Sequence, residues 1–235
     1  LLKTENKLVE SKVATYVRTR AKKALKENRE KYIHNSVLVY VKDKMPVNFD
    51  LDEVLFELER TIPVELFHEV DSIYIGQFKE INDRDLESVY KDGSIYTTNV
   101  QTSEQSMYET IVHELAHALE EVYGLDLYMD DLLEREFLGK RKKLFDILKS
   151  NGYNIGIRPF QNPGYSVKFD EFLYKEVGYP TLTTLTMGLF VSPYGATSLR
   201  EYFANGFEEY YTGDRESVRR ISPQLYNKIY SLTER

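Results

Sequence analysis

Short apolar runs predict three β-strands in the first hundred residues. The runs cover residues 36–42, 72–78 and 94–99, and all three are rich in β-branched and aromatic residues. Such side chains favour an extended backbone because they pack well on a pleated surface. An Asp92-Gly93 turn signal precedes the third run and marks its beginning.

Helical spacing of apolar residues predicts a mostly helical remainder. The predicted helices begin near residues 50, 102, 130, 198 and 222 and end near residues 60, 123, 150, 211 and the C-terminus. Thr102 and Gln105 fit a capping box for the second of these helices, and Gly124 fits its C-terminal stop. Because the strands precede the helices rather than alternate with them, we expect an α+β fold with a small mixed sheet.

The first 35 residues differ from the rest of the chain. Their apolar residues recur at helical spacing, and they carry ten Lys and Arg against four Glu, whereas the remaining 200 residues carry 21 basic and 34 acidic groups. We predict a basic amphipathic helix over residues 1–35 and a second domain over residues 36–235. The basic face is either solvated, which we favour, or an arm that docks on an acidic partner, a membrane surface or a larger polypeptide. Because the chain begins with Leu1, we expect a processed form or a fragment.

Composition excludes several classes of function. The 235 residues include no Cys, which excludes disulfides, Cys-ligated zinc, iron–sulfur clusters and a thiol nucleophile. The net charge of −7 argues against a general nucleic-acid binder. No run approaches about eighteen consecutive apolar residues, so we expect no transmembrane helix.

The segment Ile111-Val-His-Glu-Leu-Ala-His-Ala-Leu-Glu120 contains the pattern H-E-x-x-H on the second predicted helix. His113 and His117 are four residues apart, so their imidazoles project from one face of the helix, one turn apart. Two imidazoles held in this way can bind one Zn²⁺, and Glu114 is then placed to take a proton from the attacking water. The less favoured alternative is a pair of core histidines that are hydrogen-bonded to their neighbours.

A zinc site needs a third ligand, and the sequence restricts the choice. His34 and His68 have no neighbours at ligand spacing, and the chain lacks the glycine and third histidine of the longer H-E-x-x-H-x-x-G-x-x-H motif. A carboxylate from another helix is therefore expected. Glu201 is the best candidate because its neighbours are apolar, so that it would face inward and need a cationic partner. The alternative is an exposed Glu201 that is paired with Arg200.

His113-Glu-x-x-His117, followed by Tyr194-Gly-x-x-x-x-x-Glu201-Tyr-Phe-Ala, resembles the lethal factor-like zinc peptidases. This family includes the catalytic domain of anthrax lethal factor and the Pro-Pro endopeptidases of clostridia. The resemblance covers residues 36–235, with the closest match in the two motif segments. It implies a zincin-like metalloprotease catalytic domain, one Zn²⁺ held by His113, His117 and Glu201, and a Tyr194 hydroxyl that stabilises the tetrahedral oxyanion. It also implies a secreted protein, such as a toxin.

Two further roles rest on the resemblance. The family usually has an acidic residue four positions after the ligand Glu, where it hydrogen-bonds a zinc-bound His. Asn205 occupies that position here, and its carbonyl could accept the same N–H. In zinc peptidases of this architecture an edge strand beside the active helix pairs with an extended substrate, which makes Ile95, Tyr96 and Thr97 candidates for substrate binding.

Residues 153–197, between the two motifs, are rich in Gly, Pro and aromatic residues, and no element is predicted there. Aromatic side chains can shape a substrate groove, but more often they fill a core, and we favour the core. We therefore expect the aromatic residues of this segment, apart from Tyr194, to fill a core.

These patterns predict a zinc-dependent metalloendopeptidase that acts on a protein or peptide substrate. One alternative is a non-catalytic zinc-containing module that binds a partner in its groove, although the intact Glu114 and Tyr194 argue against it. A second is a zinc amidase that acts on cell-wall or small-molecule amides, which would not need a free edge strand. A third hypothesis is a domain of a larger toxin or virion-associated protein, with the basic helix as its connection.

Overall fold

The computed structural model of the chain describes residues 29–83 and 86–233. Its strands are Glu30–Ile33 (β1), Val37–Val41 (β2), Ser72–Ile75 (β3), Ser88–Lys91 (β4) and Ser94–Thr97 (β5). They form one sheet in the order β1-β2-β3-β5-β4. β1 pairs antiparallel with β2 and β4 with β5, whereas β3 pairs parallel with β2 and β5. The predicted small mixed sheet is therefore confirmed.

Sequence analysis found β2, β3 and β5 but missed the two edge strands, β1 and β4. Their sequences, EKYI and SVYK, are four residues long and carry charged side chains, which is typical of edges that resist pairing with other chains.

β1 also changes the predicted boundary at residue 35. Because residues 30–33 pair with β2, the predicted N-terminal helix is wrong over that stretch. The preceding residues 1–28, on which the rest of that prediction falls, lie outside the described residues.

In residues 29–83 and 86–233, two α-helices lie between strands in chain order and the other seven follow the last strand, so that the α+β class is confirmed. The α-helices of these ranges are Leu51–Thr61 (α1), Lys79–Asn82 (α2), Glu104–Tyr128 (α3), Leu132–Ser150 (α4), Val167–Glu171 (α5), Tyr179–Leu185 (α6), Leu199–Thr212 (α7), Arg215–Ile221 (α8) and Pro223–Thr233 (α9). Single turns of 3₁₀- or π-type occur at Val64–Glu69, Arg158–Gln161, Phe172–Val177 and Tyr194–Ala196. Among the described helices, none has an apolar stretch long enough to cross a bilayer.

α3 is the central helix, with 25 residues. Its N-cap is Ser103, whose hydroxyl accepts the N–H of Ser106, rather than the predicted Thr102. The helix also continues past Gly124, the predicted stop, for one more turn. A glycine inside a helix costs only about 1 kcal/mol, and this turn buries Leu127, which is 1% exposed.

α3 lies between the sheet and α7. It contacts α1, β4 and β5 on one side and α7 on the other. The inner face of the sheet consists of fully buried aliphatic side chains, namely Ile33, Val39, Ile73, Ile75 and Ile95. This packing fixes the helix that carries the H-E-x-x-H pattern.

A close contact with α9 fixes the position of α7. Gly206 of α7 faces the fully buried Leu225 of α9. A Cβ atom at position 206 would lie 2.1 Å from Leu225 Cδ2, which no packed core accommodates without a shift. Glycine at this position therefore lets α7 and α9 approach each other closely. Because α7 carries Glu201, this contact also helps to fix the position of Glu201.

The segment between residues 153 and 197 folds around a buried cation. Arg141 of α4 is 1% exposed. Its Nη1 donates to the Asn162 carbonyl at 2.9 Å and lies 3.5 Å from the Thr197 carbonyl, while its Nη2 donates to the Pro159 carbonyl at 2.5 Å. The guanidinium carbon lies 4.1 Å from the ring centre of Phe169. Burial lowers the pKa of Arg141 to about 10, so it remains charged at neutral pH.

The aromatic residues of this segment divide into two groups. Four phenylalanines are buried, as the favoured interpretation expects, namely Phe160, Phe169, Phe172 and Phe190. Tyr165 and Tyr174 are instead more than half exposed, at 53% and 59%. The segment therefore contributes its phenylalanines to the main hydrophobic core, and part of it packs against α4.

Replacing Arg141 by Ala should lower the free energy of unfolding by about 2–4 kcal/mol, because partly buried carbonyls lose their donor and the aromatic cluster loses its central group. Urea unfolding followed by circular dichroism measures the change. Lys142→Ala is the matched control, since the Lys142 side chain is 58% exposed. A loss below about 0.5 kcal/mol for Arg141→Ala would show that the segment does not depend on the cation.

Candidate metal centre

His113 and His117 lie one turn apart on the face of α3 that meets α7. Their ring centres are 5.0 Å apart. The apolar residues around them on α3 are fully buried, namely Ile111, Val112, Leu115, Ala116, Ala118 and Leu119. A helix that is packed on so many sides fixes the direction in which the two imidazoles project.

Glu201 reaches the two histidines from the first turn of α7. Ser198 caps this helix, and its hydroxyl accepts the Glu201 N–H at 3.1 Å. Glu201 Oε2 lies 3.2 Å from His113 Nε2, and Oε1 lies 3.7 Å from His117 Nε2. The Glu201 side chain is only 15% exposed, so the alternative of an exposed carboxylate is wrong.

The three side chains could hold one metal ion, because their ligand atoms all lie within 4.8 Å of one another. Ligand atoms on a tetrahedral zinc, with bonds of about 2.0–2.1 Å, are about 3.3–3.5 Å apart. Glu201 Oε2 and Oε1 are each near that distance from one histidine nitrogen, at 3.2 and 3.7 Å, but the group as a whole is wider, within 4.8 Å, and would have to draw closer around an ion. Glu201 Oε2 is also buried, and its nearest polar neighbour is His113 Nε2 at 3.2 Å. A buried carboxylate is costly unless a cation faces it, and either a protonated His113 or a bound metal ion would satisfy it.

Glu208 holds the other nitrogen of His113. Glu208 Oε2 lies 3.0 Å from His113 Nδ1, which leaves Nε2 directed at Glu201. Burial opposes protonation of His113, but the Glu201 and Glu208 carboxylates raise its pKa to about 10. Burial likewise opposes ionisation of Glu201, but His113 and His117 hold its pKa below the usual range. A carboxylate behind a ligating histidine orients the ring and increases its basicity toward a metal.

Asn205 does not contact a histidine, so its predicted role is wrong. Its Nδ2 donates to the Glu201 carbonyl at 2.8 Å, and its Oδ1 accepts the Ser192 hydroxyl at 2.6 Å. Glu208 makes the contact that was expected of Asn205. It follows Glu201 by seven residues, or two helical turns, and this spacing puts both on one face of α7. Helical periodicity alone could therefore have identified it.

Glu114 is held at the edge of the sheet by β4. Its Oε1 accepts the Ser88 hydroxyl and its Oε2 accepts the Tyr90 N–H, both at 2.6 Å. The residue is 6% exposed. Each carboxylate oxygen has a second lone pair, so each can still accept a hydrogen bond from a water or a substrate. Sequence analysis missed Ser88 because it did not predict β4.

Tyr194 lies in the 3₁₀ turn that precedes α7. Burial and the nearby Glu201 carboxylate raise the pKa of its phenol, so the hydroxyl keeps its proton at neutral pH and can donate it in a hydrogen bond. Its ring centre is 6.4 Å from that of Tyr179. The residue is 36% exposed, which leaves it accessible to a ligand.

The strand that contains Ile95, Tyr96 and Thr97 is not an edge strand, so this prediction is wrong. These residues belong to β5, which is paired with β3 on one side and β4 on the other. Their main chain is therefore not available to an extended substrate. The edge beside α3 is β4, and its Tyr90 N–H is already bonded to Glu114.

Two histidines and one glutamate thus define a candidate metal centre, and a second glutamate, Glu114, directly follows the first of these histidines on α3. Comparisons of the chain with protein-family profiles, with curated proteins and with solved structures found no match. The chemistry of the site must therefore follow from its own residues.

Replacing Glu208 by Gln should weaken Zn²⁺ binding by about 10–100-fold, because the His113 ring loses its charged hydrogen-bond partner. Competition with a chelating dye measures the affinity. Glu209→Gln is the matched control, since Glu209 is the next residue on α7 and its carboxylate accepts the Asp214 N–H instead. Equal affinities for Glu208→Gln and the unaltered chain would contradict the assigned role of Glu208.

Proposed function

We propose that the chain is a zinc-dependent metalloendopeptidase with a zincin-like catalytic domain. The observation that carries the proposal is the convergence of His113, His117 and Glu201, with Glu114 next to the first ligand in the chain. Two histidines, one carboxylate and an open fourth position are the ligand set of catalytic zinc in several hydrolases. A bound zinc would polarise the scissile carbonyl and make the attacking water more acidic.

Glu114 acts as the general base in this proposal. Ser88 and Tyr90 hold its two oxygens, so the carboxylate does not lose orientational freedom when a substrate binds. Glu114 takes a proton from the water that attacks the carbonyl carbon. The same carboxyl group then gives this proton to the leaving amine.

Tyr194 acts as the oxyanion donor. Its phenol remains protonated, because burial and the charge of Glu201 raise its pKa. The hydroxyl donates a hydrogen bond to the carbonyl oxygen as negative charge develops there. A donor that is already oriented toward that charge stabilises the transition state more than the ground state.

The surroundings of the site favour an extended substrate. Two open clefts of about 260 Å³ each lie near the contact between α3 and α7. One is lined by the candidate ligand His113 together with Ser88, Ser106 and Glu208. The other is lined by Glu120, Glu121, Tyr128 and Arg200, none of which is a candidate ligand. A peptide chain could occupy both, whereas a small amide would need only one. The net charge of −7 favours basic peptides through long-range attraction.

A non-catalytic zinc-containing binding module is the second candidate. The observation that favours it is that both oxygens of Glu114 already accept hydrogen bonds. The bonded Tyr90 N–H also favours a zinc amidase, since a small amide needs no strand pairing. Cleavage of peptides distinguishes the endopeptidase from both.

Replacing Glu114 by Gln should lower kcat/KM for peptide hydrolysis by at least about 100-fold, because the amide cannot accept the proton. A diverse peptide library, digested with zinc-loaded protein and read by mass spectrometry, gives the cleavage sites. Glu53→Gln is the control, since Glu53 is an exposed carboxylate on α1 and lines neither cleft. Absence of cleavage by the unaltered, zinc-loaded chain would favour the binding module or the amidase.

Replacing Tyr194 by Phe should lower kcat by about 100–1,000-fold and leave KM nearly unchanged, because the hydroxyl acts only on the developing charge. Steady-state kinetics on a cleaved library peptide measures both constants, and dye competition checks that zinc affinity is retained. Tyr174→Phe is the control, since Tyr174 is 59% exposed. An unchanged kcat for Tyr194→Phe would remove Tyr194 from the mechanism.

A further inference from the structure

A second charged cluster lies against His117, on the nitrogen that does not face Glu201. Arg200 Nε donates to His117 Nδ1 at 3.1 Å. His117 Nδ1 is therefore a hydrogen-bond acceptor in this structure, and the proton of a neutral ring is on Nε2. Arg200 directly precedes Glu201 in the first turn of α7.

This hydrogen bond is incompatible with a metal on His117 Nε2. A neutral imidazole carries one proton, and a metal that uses the Nε2 lone pair leaves this proton on Nδ1. The Arg200 Nε–H and the His117 Nδ1–H would then point at each other across 3.1 Å. Metal binding therefore requires Arg200 to leave Nδ1 and requires another group to accept the Nδ1 proton.

Glu120 provides that acceptor. Its Oε2 lies 3.7 Å from His117 Nδ1 and 3.2 Å from Arg200 Nε. This oxygen is buried and has no hydrogen-bond partner among the described residues, because the Arg200 N–H is directed at the histidine. The other oxygen, Oε1, accepts the Tyr128 hydroxyl at 2.5 Å, which fixes the carboxylate.

The side chains of Glu120 and Arg200 differ in their freedom to move. The Glu120 side chain is 13% exposed, whereas that of Arg200 is 54% exposed and can turn into solvent. Burial and the Glu120 charge raise the pKa of Tyr128, so its hydroxyl stays protonated and continues to hold Glu120. Glu120 is thus fixed beside His117, and Arg200 is the group that is able to leave.

We propose that Arg200 and Glu120 form a metal-linked switch at His117. Without metal, Arg200 occupies His117 Nδ1. A metal ion bound through Nε2 would leave the single proton of the neutral ring on Nδ1, and this Nδ1–H would donate to Glu120 Oε2. Glu120 is a positioning residue that acts through His117, as Glu208 acts through His113. The inference rests on the metal centre of the proposed function.

The first test uses the unaltered chain. Two-bond ¹H–¹⁵N correlation spectra of the four histidines identify which ring nitrogen carries the proton. We expect His117 to carry it on Nε2 without metal and on Nδ1 after addition of one equivalent of Zn²⁺. A proton on Nδ1 in both states would overturn the switch, and this test does not depend on whether any variant folds.

The second test is the Zn²⁺ affinity of variants, from dye competition. Glu120→Gln should bind about 10–100-fold more weakly than the unaltered chain, with Glu121→Gln as the unaffected control. Arg200→Met should bind Zn²⁺ more tightly than the unaltered chain, because Arg200 no longer competes for His117 Nδ1. If Arg200 only supports the local structure, the Arg200→Met variant should instead bind Zn²⁺ more weakly than the unaltered chain.

The outcomes separate the inference from the proposed function. If the unaltered chain binds Zn²⁺ but Glu120→Gln binds it equally well, or Arg200→Met weakens binding, the switch is overturned and the metal centre stands. If the unaltered chain does not bind Zn²⁺, the metal centre of the proposed function fails, and the switch fails with it.

Discussion

The contact between α3 and α7 is the constraint on which the site depends. Both helices are packed by large apolar surfaces, yet their shared face buries His113, His117 and Glu201. Ionisable groups in such a place must be paired, since a buried charge without a partner costs several kcal/mol. The helices can therefore pack closely only if charges on the two faces balance. Occupancy of the site and stability of the helix pair are then linked, because a ligand that binds only the folded chain stabilises it.

The sheet provides a second, independent constraint. β4 is only four residues long, but its Ser88 and Tyr90 both hold Glu114. The candidate ligands therefore depend on helix packing, whereas the candidate base depends on the sheet edge. α3 connects the two, because it carries His113, Glu114 and His117 and contacts both β4 and α7. This division of roles explains why so small a sheet is sufficient for the site.

The parts of the site that sequence could predict are those that are local in the chain. The spacing of His113 and His117 follows from one helical turn, and the apolar surroundings of Glu201 correctly indicated that it is buried. Contacts between segments that are distant in the chain were harder to predict from the sequence. Ser88 lies in a short polar strand with no clear β pattern, and Arg200 was considered a partner of Glu201 when it instead contacts His117. Which neighbour a long side chain selects is decided by tertiary packing.

Arg141 has a consequence for how this protein can vary. One guanidinium binds the carbonyl of Asn162 and lies within 3.5 Å of that of Thr197, so the two ends of the intervening stretch meet at a single point on α4. A flexible loop that is closed at its base can change in length at little cost, about 0.6 kcal/mol for each doubling. Most of this stretch is not such a loop, because Phe169, Phe172 and Phe190 are buried in the core and Tyr194 lies near its end. Insertions and deletions should therefore be tolerated only where the stretch is exposed, as at Met187, which is 81% exposed, while the two ends stay joined at Arg141.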